Sequence, residues 1–271
     1  MKKIIYACAC IALSSVCSLA NLNAQNREVM SSITDKVLPP RTSPEAAKAA
    51  GRFVYDKPTI ENSIFLFIDH QMGLMAGVRD FDALSSYKNN VLGLAKVAKA
   101  AGIPVLLSSS NAQWQNGDLF PELKAVFPNE PIYRRTGIIN CYEDPSFRKA
   151  LEAIVKETGR THIIISGVTI GTCCTFPTLS MLQDGYKVYP VIDACGGWSK
   201  YETDAAVTRM ANAGAEPVTV FPLACELQAD WKGPTANDMF VPFIEHLPEY
   251  SFIIQLFQNT SNGTGVKDPF K

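Results

Sequence analysis

Three side chains combine reactive chemistry with a suitable place in the chain. Asp69 directly follows the apolar run 63–68 (SIFLFI). Cys173 follows a second apolar run, 162–165 (HIII), through the loop 167–172, and opens a segment of helical pattern at 173–182. Arg135 comes just after residues 131–133, with Arg134 beside it. A thiol at a helix N-terminus sits among unpaired N–H groups and the positive end of the helix dipole, which favours the thiolate. The same N–H groups can hold an oxyanion. A carboxylate beside the thiol can take its proton, and a cation can hold both anions in place. That set would be a hydrolytic site without histidine. Each residue also has a plain structural reading: cysteine is among the most buried residue types, aspartate caps turns, and arginine is mostly a surface charge.

The remaining reactive residues form no such set. Cys174, Cys195 and Cys225 read as packing. His70, His162 and His246 fit no metal spacing and offer no obvious partner to a cysteine, and His162 falls inside a strand. No CxxC pair, GxSxG elbow, GxGxxG turn or phosphate loop is present. No metal or other cofactor is therefore expected.

The elements that must carry the three residues alternate along the chain. Strand patterns at 63–68, 103–107, 162–165, 187–192 and 217–221 are separated by helical patterns at 82–101, 121–126, 144–159, 173–182 and 202–213, and two short helices near 224–231 and 237–246 follow. Asp144-Pro145 is an N-cap with proline at the first helical position, and Gly102 and Gly159 stop helices. Pro190 weakens its strand by removing a ladder donor. Alternating strands and helices imply right-handed crossovers and a mainly parallel sheet covered on both faces. Ligands in such sheets gather beyond the carboxyl ends of the strands, where Asp69, Arg135 and Cys173 fall.

With 271 residues, 47% hydrophobic and 19% charged, the chain can build one sizeable α/β domain with extensions. The net charge of -1 gives no basic surplus for a nucleic-acid partner. Lys2 and Lys3 precede an apolar run from Ile4 to about Leu19 and then small residues, the order of a secretory signal peptide cleaved after Ala20 or Ala24. Lipid anchoring at Cys17 is the less favoured reading, because Ser14-Ser15-Val16 is a poor lipobox. The expected organisation is a signal peptide at 1–24, an extension at 25–61, a catalytic domain at 62–258 and a flexible tail at 259–271. The expected destination is the periplasm or the medium, and no later run is long enough to span a bilayer. Beyond the signal segment five cysteines remain, an odd number that leaves a thiol free or paired between chains.

Several separated motifs resemble one family. Residues 63–80 (SIFLFIDHQMGLMAGVRD) resemble the first strand and catalytic-aspartate loop of isochorismatase-like hydrolases, and residues 165–194 (ISGVTIGTCCTFPTLSMLQDGYKVYPVIDA) resemble their nucleophile region. DHQ with VRD, KNNVLGLAK, FP followed by RTGIIN, and ACELQADW are similar to the YcaC-like subgroup. The resemblance runs from about residue 62 to 250 and implies a three-layer α/β/α sandwich with a six-stranded, mainly parallel sheet, assembled as a homo-oligomer. It implies a triad of Asp69, Cys173 and, in place of lysine, Arg135. It implies a cis peptide at Val168-Thr169 and an oxyanion hole from the Thr169 and Cys173 N–H groups. Gln71, Asn140, Ile170 and Phe176 are the candidate substrate-binding residues. The loop after the second strand reads SSSNAQW, without the D-x-H motif of metal-binding nicotinamidases. The expected activity is a cysteine hydrolase on a small amide-like substrate, through a thioester. Isochorismate-type vinyl-ether hydrolysis and a catalytically idle oligomeric binding protein remain as alternatives.

Overall fold

A computed structural model describes residues 42–81 and 84–264. The targeting segment read at 1–24, residues 25–41 of the extension, residues 82–83 and residues 265–271 lie outside the described residues. The chain divides into two units, 1–56 and 57–271. In the first, the described part is a helix, Pro44–Ala49, whose N-cap Ser43 accepts the Ala46 N–H at 3.1 Å. Phe53 and Tyr55 follow in an exposed stretch.

The second unit is built on a parallel sheet of five strands: β1 (Ser63–Ile68), β2 (Val105–Ser110), β3 (Ile132–Arg135), β4 (His162–Gly167) and β5 (Lys187–Pro190), in the order β3-β2-β1-β4-β5. Strand β1 is buried on both faces because its alternate residues enter two cores. Phe65 and Phe67 join Tyr87, Val91 and Leu94 of the helix Leu84–Ala100, with Leu223 and Phe243 from the helices Val220–Gln228 and Ala236–His246. Ile64, Leu66 and Ile68 face Phe147 and Leu151 of Pro145–Thr158, Met181 of Thr175–Gln183 and Met210 of Lys200–Asn212. The result is the expected three-layer sandwich.

The expected sixth strand, at 217–221, is reduced to one bridge, Val191 with Val218. The Val218 N–H donates to the Pro190 carbonyl and the Ile192 N–H to the Val218 carbonyl, each at 2.9 Å. One step back, the Glu216 N–H donates to the Val188 carbonyl at 3.0 Å. The returning bond would have to come from the nitrogen of Pro190, which carries no hydrogen. The helix Val220–Gln228 then begins at once.

Local signals set the helix ends. Asp144 accepts N–H groups from Ser146 and Phe147 at 3.0 and 3.1 Å, and Gly159 ends that helix in the left-handed conformation at φ 72°. The last helix, Pro248–Thr264, takes in residues 259–264, which the sequence placed in the tail. Among the described residues no helix is long and apolar enough to cross a membrane.

Candidate active site

Sheet register brings the site together. Ile68 pairs with Ser108 of β2 and with Gly167 of β4, while Ser110 pairs with Arg135 of β3. Asp69, Arg135 and the 168–173 turn therefore meet at the carboxyl ends of adjacent strands. Asp69 adopts φ 57°, a left-handed conformation that aspartate tolerates better than most residues. Its N–H donates to the Ser108 carbonyl at 3.0 Å, anchoring the turn.

Arg135 is the last residue of β3 and its side chain is fully buried, as is that of Asp69. The guanidinium grips the carboxylate with two parallel bonds, Nη1 to Oδ1 at 3.0 Å and Nη2 to Oδ2 at 2.6 Å. Its other donors go to Ser108 Oγ, to the Ile138 carbonyl from Nε at 2.9 Å, and to the Ile139 carbonyl from Nη2 at 3.2 Å. A guanidinium has five N–H groups, and here all five are committed. Burial works against the charge of Arg135, but the Asp69 carboxylate outweighs it and holds the guanidinium above its ordinary range. Arg135 thus orients Asp69 and leaves no donor for a ligand.

Cys173 lies in a π-helical turn, Ile170–Cys174, that precedes the α-helix Thr175–Gln183. Cys173 is 7% exposed. Its pKa is raised, first by burial and then by the charge of Asp69. This corrects the expectation of a thiolate favoured by a helix N-terminus: the resting group is a neutral thiol beside a base. Cys174 turns away, its sulfur 3.6 Å from that of Cys195 and fully buried. The Thr172 hydroxyl reaches the Cys173 sulfur at 3.5 Å, and the Thr169 and Thr172 hydroxyls are 2.9 Å apart.

The Val168-Thr169 peptide is cis. The Thr169 carbonyl receives three N–H groups, from Thr172 at 3.2 Å, Cys173 at 2.9 Å and Cys174 at 3.4 Å. The Cys173 N–H expected in an oxyanion hole is therefore already engaged. Three donors compete for two lone pairs, however, so a ligand oxygen can recruit one of them. Among the described residues the Thr169 N–H donates to no acceptor.

The four expected substrate-binding residues divide. Phe176 and Asn140 line a surface cavity of 590 Å³ with Ile138, Ile139 and Arg209. Asn140 also caps a short turn, accepting the Tyr142 N–H at 3.1 Å and donating to Ser180 Oγ at 3.0 Å. Gln71 instead clamps the loop after β2: its amide donates to the carbonyls of Ser110 and Gly117, and its oxygen accepts the Ser110 N–H at 2.8 Å. Ile170 is fully buried in the core. Sequence reasoning missed Ser108 and Thr172. Ser108 could have been suspected from its serine run at the end of a strand, and Thr172 from its place beside Cys173.

The histidines stay structural. His70 is buried between Tyr87 Oη at 2.7 Å and Ser166 Oγ at 2.9 Å, and burial pushes its pKa down to about 3, so the ring is neutral. His162 stacks on Tyr189. Among the described residues no cluster of three His, Cys, Asp or Glu side chains is placed to hold a metal ion.

Known proteins share this arrangement of elements. The isochorismatase domain family matches residues 63–220. The chain is 40% identical over 185 residues to the probable hydrolase YcaC of Escherichia coli K12, covering 68% of this chain and 86% of that protein. YcaC from Pseudomonas aeruginosa, solved with hexane-2,5-diol and covalent acrylamide, superposes with a TM-score of 0.71 at 40% identity, over 76% of this chain and 99% of that one. The E. coli YcaC structure, an octameric hydrolase of unknown specificity, gives a TM-score of 0.72 at 36% identity, over 77% and 99% of the two chains. The chain is a hydrolase of the isochorismatase family and belongs with its YcaC-like members.

Proposed function

We propose that this hydrolase cleaves a small amide-like C–N bond with Cys173 as nucleophile, Asp69 as acid and base, and Arg135 as the group that holds Asp69. The observation that carries this reading is the buried, two-pronged Arg135–Asp69 pair at the strand ends where the buried Cys173 also lies. As the sulfur of Cys173 attacks the substrate carbonyl carbon, Asp69 takes the thiol proton. The developing oxyanion is met by the Thr169 N–H and by the Cys173 N–H, which exchanges its bond to the Thr169 carbonyl for the ligand. Asp69 returns the proton to the leaving nitrogen as the C–N bond breaks, leaving a thioester. Asp69 then deprotonates the water that hydrolyses the thioester, and the proton returns to the sulfur.

Arg135 gives up no proton in this sequence, since guanidinium stays charged in proteins. It aims the carboxylate and pairs its charge in a fully buried site. Substrate enters beside Asn140 and Phe176, and the exposed side chains of Ile138 and Ile139 at that rim suit an apolar contact. The covalent acrylamide on the P. aeruginosa relative supports a nucleophilic side chain, because acrylamide alkylates thiols. The octamer of the E. coli relative supports a homo-oligomer here, and we read residues 1–24 as an export signal.

A neutral buried thiol is also what an idle binding protein would hold. Ammonia release from a panel of small aliphatic and aromatic amides separates the two. The wild-type protein is expected to turn over at least one amide, while Asp69→Asn and Cys173→Ala do not. No turnover across the panel, or turnover that survives Cys173→Ala, overturns the reading.

A further inference from the structure

The nucleophile segment holds four threonines, and they divide into two pairs. Thr175 and Thr178 donate their hydroxyls back to helix carbonyls, Ile170 at 2.7 Å and Cys174 at 2.8 Å, the ordinary use of threonine in a helix. Thr169 and Thr172 do otherwise. Thr169 occupies the N-cap position yet makes no side-chain cap bond to the turn it precedes. Its hydroxyl meets that of Thr172 at 2.9 Å, and Thr172 reaches the Cys173 sulfur at 3.5 Å. Thr169 is buried and Thr172 is partly exposed.

The geometry points to Thr172 as a further catalytic residue: its hydroxyl, oriented by that of Thr169, donates to the Cys173 sulfur and stabilises the thiolate as Asp69 takes the proton. The inference rests on the proposed role of Cys173. Proton counting fixes the direction of the chain. A hydroxyl has one hydrogen, so Thr172 can donate to sulfur only if it accepts from Thr169. In the proposed step the S–H proton goes to Asp69, and the sulfur's lone pairs are left to accept. When the proton moves from sulfur to an Asp69 oxygen, the Thr172 O–H changes from a weak bond to a neutral thiol into a charge-assisted bond to a thiolate. The interaction thus strengthens along the reaction, which is the condition for it to speed the chemical step. Burial and the Asp69 charge raise the thiol pKa, and the Thr172 bond pulls the other way.

The test is the rate at which acrylamide alkylates Cys173 in the full chain, followed by peptide mass spectrometry from acid to alkaline pH. Valine keeps the shape of threonine and removes its hydroxyl. Thr172→Val is expected to slow alkylation about tenfold near neutrality and to move the alkaline rise in rate upward by about one pH unit. Thr172→Ser keeps the hydroxyl and is expected to stay within about threefold of wild type. Thr169→Val removes the orienting donor and should slow alkylation by a smaller factor, which decides the matter if Thr172→Val does not fold. Wild-type rate and pH profile in both valine variants overturn the proposal. So does a Thr172→Ser variant as slow as Thr172→Val, since the methyl group would then be what matters. A wild-type adduct on Cys174 and none on Cys173 overturns the reading of the site itself, and the proposal with it.

Discussion

Removing the Arg135 side chain should expose how much of this site depends on one buried ion pair. Arg135→Ala leaves the Asp69 carboxylate fully buried without its two guanidinium bonds. It also strips a donor from each of the Ile138 and Ile139 carbonyls and from the Ser108 hydroxyl. Removing one partner of a buried pair costs about 3–5 kcal/mol, because the remaining charge stays buried and uncompensated. Arg135→Lys keeps a charge, but an ammonium has three donors on a flexible stem and cannot form the fork. Losing the second bond to Asp69 and one or both carbonyl bonds should cost ~1–3 kcal/mol. Urea unfolding of wild type, Arg135→Lys and Arg135→Ala should give that order. Adding Asp69→Asn to Arg135→Ala removes the stranded charge and should recover part of the loss. Activity should follow the charge, with Arg135→Lys retaining turnover and Arg135→Ala losing most of it. Equal stability and turnover in all three proteins, or no recovery in the double variant, would refute the argument that Arg135 acts through Asp69.

Three further outcomes are expected. Cys174→Ala should leave most activity in place, because its sulfur faces Cys195 in the core, and amide turnover checks this directly. Asp193 is half-buried, and desolvation raises its pKa from 3.8 to about 6 even though it accepts the Val220 N–H. The folded state therefore prefers the protonated acid, and the group's contribution to stability is lost as pH rises through that window, to at most ~3 kcal/mol at ~1.4 kcal/mol per pH unit. Asp193→Asn should accordingly raise the melting temperature above pH 6 and leave it nearly unchanged near pH 4; a gain of the same size at both pH values contradicts this. Mass spectrometry of protein from a periplasmic extract should find a mature N-terminus near residue 21 or 25, and an intact N-terminus in the cytosol would refute export.

Much of the fold was legible because the signals are local. The helix after Asp144-Pro145, its end at Gly159, and the two-faced apolar run of β1 all follow from side chains within a few positions of one another. Asp69, Arg135 and Cys173 were legible as a set because strand ends converge in a parallel sheet. What was not legible depends on distant partners. Gln71 reads as a substrate contact until the loop after β2 closes on it. The thiol's neutral resting state follows from burial and the Asp69 charge, neither of which its own neighbours in sequence reveal. The lost sixth strand shows the reverse: Pro190 was recognised as a weak point, but only the register reveals that its missing hydrogen falls where the second bridge needs one.

The central claim is that Cys173 carries the acyl group during turnover. An activated acyl ester such as p-nitrophenyl acetate, quenched in acid during reaction and digested, tests it by peptide mass spectrometry. The account predicts an acetyl group on Cys173, removed by hydroxylamine and absent from Asp69→Asn and Cys173→Ala. Steady p-nitrophenol release with no acyl group on Cys173, or with the acyl group on Cys174, would contradict it.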